Sequence, residues 1–116
     1  MPRTYAQRFA AIANECIQAV PVRDFEGYKA RADSFPTFVM QAGLAQAVGF
    51  LKAKGSKEPV YALYLKDLAK VLGKRDATHL YQEVIAAELN EYRLLTRQAL
   101  AAAGWLKRMA QARKVQ

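Results

Sequence analysis

Few residues in this 116-residue chain could carry out chemistry by themselves. His79 is the only histidine and Cys16 the only cysteine. A Ser-His-Asp triad would have to be built on His79, and no catalytic motif surrounds it; in the stretch DATHLY a capping or helix-face role fits better. Glu83, Glu88 and Glu91 suggest a carboxylate metal site, but the Glu-x-x-His companions of a di-iron bundle are absent, so a solvated acidic face is expected. Cys16 falls on an apolar helical face, where a thiol acts as a small core residue rather than a nucleophile. One cysteine permits neither an internal disulfide nor a four-thiolate zinc site, and it suits a reducing, cytoplasmic setting. The glycines match neither a Walker A loop nor a dinucleotide fingerprint. No catalytic residue, metal ligand set or cofactor site is expected, and the chain reads as non-enzymatic.

Charge offers a different chemistry. Eighteen Lys and Arg against ten Asp and Glu give a net charge of +8, which favours a polyanionic partner. The cations concentrate near the carboxyl end, in EYRLLTRQALAAAGWLKRMAQARK. At about 100° per residue, Arg93, Arg97, Lys107 and Arg108 fall within roughly a 100° arc of one helix. Tyr92, Leu95, Ala99, Ala102, Leu106 and Met109 gather on another arc that would face a core. Leu100 sits within the cationic arc and Trp105 at its border, a pattern suited to a protein contact beside a charged one. Arg113 and Lys114 fall in what reads as a fraying tail. Most of the six tyrosines read as core residues, which leaves few rings for stacking on bases.

The elements that must position these side chains are all helical. No sustained period-two alternation bounded by hairpin turns occurs, and the 22 alanines favour helix and close helix approach. Thr4 followed by Gln7 has capping-box spacing. Phe9, Ile12, Ala13, Cys16, Ile17 and Val20 recur at helical intervals before Pro21 ends the run. A short helix is predicted over DFEGYKARAD, capped by Asp24. A long one follows over FPTFVMQAGLAQAVGFLKAKG, with Pro36 at its first position and Val39, Met40, Gly43, Leu44, Ala47, Phe50 and Leu51 on its apolar face. Lys52, Lys54 and Gly55 close it. The next helix opens near Pro59 and ends at Gly73, burying Val60, Leu63, Tyr64, Leu68, Val71 and Leu72, with Lys66, Lys70 and Lys74 on another side. Asp76 caps a helix beginning ATHLYQEVIA, and a final helix covers about Glu88 to Ala112; the pattern alone leaves open a break between them near Ala86–Ala87. The fold class is all-α, a single-domain bundle of five to six helices over residues 1–116.

With 53% hydrophobic and 24% charged residues, the chain can bury a core and is not of disordered composition. No apolar run approaches the roughly 18 residues a membrane span needs, and the amino-terminal stretch lacks the apolar centre of a secretory signal.

Two stretches resemble a known family. YKARADSFPTFVMQAGLAQAVGFLKAKG has a tyrosine helix, a Phe-Pro step, a Gly-Leu pair, a later Phe and a closing lysine. YRLLTRQALAAAGWLKRMAQA has Tyr, Thr, Ala-Leu and then Trp-Leu-Lys-Arg. Both are similar to signatures of the small α-helical subunit of the type III-B, or Cmr, CRISPR-Cas effector complex. One departure is Ala42, where the family often has Asn before the Gly-Leu pair; any polar contact of that Asn is lost.

The resemblance implies a non-catalytic subunit that stacks in several copies as a filament beside backbone subunits, with a large polymerase-like subunit at one end. It would help form the channel in which CRISPR RNA pairs with target RNA, in antiviral defence and without membrane association. Base pairing reads sequence there, while protein supplies shape and a positive wall. Lys54, Trp105, Lys107 and Arg108 match signature positions. With Lys52, Arg93 and Arg97 added from helix geometry, the expected RNA-binding set is Lys52, Lys54, Arg93, Arg97, Lys107 and Arg108. Leu100 and Trp105 are the expected subunit contacts, with a core or packing anchor as the other reading of Trp105. Two other readings remain at this point: a protein–protein scaffold whose basic stripe meets an acidic neighbour, and an independent helical DNA-binding protein.

Overall fold

A computed structural model describes residues 4–114; Met1–Arg3 and Val115–Gln116, the extreme ends of the single domain expected from sequence, lie outside the described residues. The described residues form six helices: α1 (Tyr5–Ala19), α2 (Val22–Ala42), α3 (Leu44–Gly55), α4 (Pro59–Val71), α5 (Ala77–Ala86) and α6 (Leu89–Ala112). No strand occurs among them. The capping box forms as expected: Thr4 Oγ1 accepts from Gln7 N, and Gln7 Oε1 accepts from Thr4 N. Asp76 accepts from His79 N at 2.8 Å and starts α5. The question left open near Ala86–Ala87 is resolved as a break, because Ala87 and Glu88 are both extended (ψ 137° and 168°).

The largest difference from the sequence reading lies in the second quarter of the chain. The short helix and the helix entering at Pro36 are one element, α2, which runs through Pro36 without interruption. Asp24 is not its cap; it lies in the first turn, and Pro21 occupies the N-cap position. An interior proline costs about 3 kcal/mol because it lacks the N–H for the preceding turn. Phe35 and Val39, on either side of it, are almost fully buried, and burying such side chains contributes about 1.5–3 kcal/mol each. The packing therefore outweighs the proline. The real interruption is Gly43, at φ 90° and ψ 158°, a region open essentially to glycine alone. Gly43 N–H donates to Val39 O and Gly43 O accepts from Ala47 N, so one residue ends α2 and starts α3. With the break there, Met40 turns outward at 74% exposure instead of joining the core, and Phe50 is 37% exposed.

α1 packs along α6, α3 along α4, and α2 lies against both α6 and α4. α4 is the hub, contributing Tyr64, Leu65, Leu68, Ala69 and Val71 to the core, whereas Val60, Leu63 and Leu72 are only half-buried. α3 and α4 approach so closely at Gly55 that a Cβ there would stand 3.0 Å from backbone atoms of Ala62. No helix is long and apolar enough to cross a membrane among the described residues.

Candidate nucleic-acid interface

α6 is two-sided, as its pattern demands. Leu95, Ala99, Ala102, Ala103, Leu106 and Ala110 are buried, and the alanines let α6 lie close to α1 and α2. Tyr92 and Met109 are half-buried at the edges of that stripe. Arg93, Arg97 and Arg108 are exposed, and Lys107 is half-buried. None of these four cations has a carboxylate partner among the described residues. Among the described residues the stripe is thus a row of unneutralised positive charge on one helix.

Apolar grooves accompany it. Tyr5 and Phe9 of α1 and Leu94, Arg97, Gln98 and Trp105 of α6 line one of about 470 Å³. Tyr5 packs edge-to-face on Phe9 at 5.0 Å and receives a hydrogen bond from Gln98 Nε2 at 3.3 Å. Leu94 is 48% exposed. A second groove lies between Leu100, Gly104, Trp105 and Arg108. Leu100 and Trp105 are both half-buried and packed against the core edge, while the Arg108 guanidinium lies 5.7 Å over the indole. Trp105 is therefore anchored and partly open at once.

The two remaining expected RNA contacts do not form one surface. Lys52 leans toward α5, donating to Thr78 Oγ1 at 3.3 Å and lying 5.7 Å over Tyr81. Lys54 points toward α4, pairing with Glu58 at 3.5 Å and lying 5.9 Å over Tyr61. Two residues apart on a helix means about 200° of rotation, so proximity in sequence separates these two lysines in space.

Other polar residues have structural roles. His79 Nδ1 contacts Asp76 Oδ1 at 2.7 Å, and accepting the His79 N–H holds the Asp76 carboxyl below the usual carboxylate range. Glu83 pairs with Lys74 at 3.0 Å, Glu88 is the α6 N-cap residue and Glu91 lies in its first turn. Cys16 is buried, and burial, reinforced by the nearby Asp67 charge, pushes its thiol up to about 12. No group of three metal-ligating side chains gathers among the described residues.

Three features escaped the sequence reading. Asp67 is buried on α4, and its Oδ2 accepts a 2.7 Å hydrogen bond from Tyr28 of α2. Arg113, expected in a fraying tail, instead donates to Ile17 O at 2.7 Å and Val20 O at 2.8 Å, with its guanidinium 4.4 Å over Phe25. It satisfies carbonyls at the α1 C-terminus, where a cation also suits the helix dipole; only Lys114 is left exposed. Of the tyrosines, only Tyr28 and Tyr64 are buried; Tyr61, Tyr81 and Tyr92 are half-buried and Tyr5 exposed. A charged residue at an i+3 position of an otherwise apolar α4 pattern was the available signal for Asp67. Arg113 gave none.

The two signature stretches meet in space. Tyr92, which opens the second, accepts a hydrogen bond through its hydroxyl from Ala45 N at 2.9 Å, and so caps α3 just beyond the Gly-Leu pair of the first. Residues 5–113 match the Cas_Cmr5 family of CRISPR-associated proteins. The chain belongs to that family. It is 44% identical over 111 residues to the CRISPR system Cmr subunit Cmr5 of Thermus thermophilus, covering 95% of this chain and 96% of that one. Its fold is similar to the crystal structure of a CRISPR-associated Cmr5 family protein from the same organism, with a TM-score of 0.87, 40% identity and coverage of 95% and 97%. The Cmr5-family resemblance read from the two signatures thus extends over the whole helical body.

Proposed function

We propose that this Cmr5-family chain is the non-catalytic small subunit of a cytoplasmic type III-B CRISPR effector. Copies stack as a filament beside the backbone subunits, reach toward the large polymerase-like subunit, and line the channel in which CRISPR RNA pairs with target RNA in antiviral defence. The observation that carries the RNA contact is the α6 stripe: Arg93, Arg97, Lys107 and Arg108 share one face and have no carboxylate partners among the described residues. Phosphates are the natural complement of such a row, and base pairing rather than protein supplies the sequence. Leu100 and Trp105, beside the stripe, serve contacts between subunits.

The test is the assembled complex carrying alanine at all four stripe positions. The stripe lies outside the buried core, so folding and assembly should survive. Retention of target RNA should weaken at least tenfold at fixed salt, with a salt dependence shallower by about 0.7 per lost phosphate contact. Wild-type retention would remove the RNA role from this helix. The Leu94–Trp105 groove favours a second reading, in which α6 meets an acidic, partly apolar neighbour; that reading requires the same variant to drop out of the complex.

A further inference from the structure

Outside α6, one other surface combines positive charge with accessible aromatic area. Arg31 and Phe38 lie seven residues apart on one face of α2, Phe50 and Lys54 four apart on one face of α3, and Tyr61 opens α4 beside them. Phe38 meets Phe50 edge-to-face at 5.3 Å, and Phe50 meets Tyr61 at 5.9 Å. The Arg31 guanidinium rests 4.7 Å over Tyr61, whose ring also carries Lys54. Shallow grooves flank the row. Arg31, Lys57 and Tyr61 share one, and the uncharged side chains Ser34, Thr37, Phe38, Gln41 and Phe50 line the other. Among the described residues, Glu58 is the sole carboxylate lining these grooves and pairs with Lys54, and Arg31 and Lys57 have no carboxylate partner.

A cation held against an aromatic face has already given up much of its side-chain freedom, so less is lost when it binds a phosphate. Phe38 packs at the edge of the core, but Phe50 lies outside that cluster and leaves an exposed ring among the cations that a merely solvated basic face does not need. Cations alternating with rings form the platform that single-stranded nucleic acid uses, with phosphates on the charges and unpaired bases on the rings. A duplex keeps its bases stacked inside and gains nothing from Phe50. We infer that the Arg31–Tyr61–Phe50–Phe38 face binds an unpaired stretch of RNA, with phosphates at Arg31 and Lys57 and a base against Phe50. The choice of RNA rests on the function proposed above, but the surface is a different one from the α6 stripe.

The test uses the full chain and a fluorescein-labelled oligouridylate about 12 nucleotides long, compared with an RNA duplex of equal length by anisotropy. The single strand should bind more tightly than the duplex. Phe50→Leu keeps an apolar side chain for packing but removes the ring, and should weaken single-strand binding about tenfold. Phe50→Trp should bind at least as well as wild type, and thermal melting of both variants shows that they are folded. Arg31→Gln with Lys57→Gln should weaken binding and flatten its salt dependence. Wild-type binding by Phe50→Leu, or a preference for duplex, would overturn the inference. So would a Phe50→Leu chain that binds oligouridylate normally yet fails to enter the assembled complex, since the face would then belong to a protein neighbour. The α6 variant separates the two claims. If it alone loses target RNA, the stripe stands and this face falls; if only Phe50→Leu loses RNA, the reverse holds.

Discussion

Asp67 and Arg113 each join helices through polar contacts, Asp67 linking α4 to α2 and Arg113 reaching α1 and Phe25 of α2. Burial, the dominant effect, raises the Asp67 carboxyl above the ordinary carboxylate range, although the Tyr28 hydrogen bond opposes the shift. The Tyr64 hydroxyl, fully buried on the same helix, has no hydrogen-bond partner among the described residues, and Lys66 and Lys70 of α4 are the cations that act on the carboxylate. The folded chain therefore keeps the Asp67 proton at pH values where the unfolded chain, with an Asp pKa of about 3.9, has lost it. Stability from this group is full below the unfolded value and is lost as pH rises through the folded one. Asp67→Asn cannot titrate. Thermal melting against pH should show a flatter acid-to-neutral profile for this variant and a higher melting temperature than wild type at neutral pH; parallel profiles would mean that Asp67 does not titrate as described. Arg113 acts oppositely, as a cation placed where carbonyls need donors. Arg113→Ala leaves Ile17 O and Val20 O without it, and should cost roughly 2 kcal/mol in urea unfolding. Arg113→Lys should recover only part of that, because an ammonium cannot both fork to two carbonyls and stack on Phe25.

At the scale of elements, the decisive choice is where α2 ends. Proline is the stronger helix breaker by propensity, yet Pro36 lies inside the helix and Gly43 ends it. Backbone geometry at Gly43 is confined on one side by its positive φ and on the other by Tyr92, whose hydroxyl stands 3.4 Å from where a Cβ would be. Gly43→Ala should destabilise the fold by about 1–3 kcal/mol, read from the shift in urea midpoint at unchanged slope. Tyr92→Phe removes the acceptor that Ala45 N–H uses and should cost about 1 kcal/mol. A smaller effect for Gly43→Ala than for Tyr92→Phe would mean that the α2–α3 break relaxes without strain. The two signature segments are thus structurally coupled: the second closes the joint that the first creates.

Across the whole molecule, part of the excess positive charge lies on two surfaces of different character. The α6 stripe is cationic with one indole at its border, whereas the α2–α3–α4 face interleaves cations with phenylalanine and tyrosine. If both hold RNA, affinity of the full chain for oligouridylate should fall linearly with the logarithm of salt concentration. Removing cations from either face should then reduce that slope by about 0.7 per contact. An unchanged slope after substitution at both faces would place the electrostatic contact elsewhere on the chain.

Much of this was legible in the sequence. Helical class, the Thr4 and Asp76 caps, the buried stripe of α6 and the outward row of Arg93, Arg97, Lys107 and Arg108 all follow from local pattern, because one helix turn fixes which side chains share a face. The family follows from two short signatures. What only the tertiary structure decided depends on contacts between residues far apart in the chain. Burial of Phe35 and Val39 carries α2 through Pro36, and Gly43 takes the break that Pro36 was expected to make. Arg113 reaches back to α1, and Tyr28 meets a buried Asp67. No local period encodes such pairings, since their energy exists only once the helices have packed.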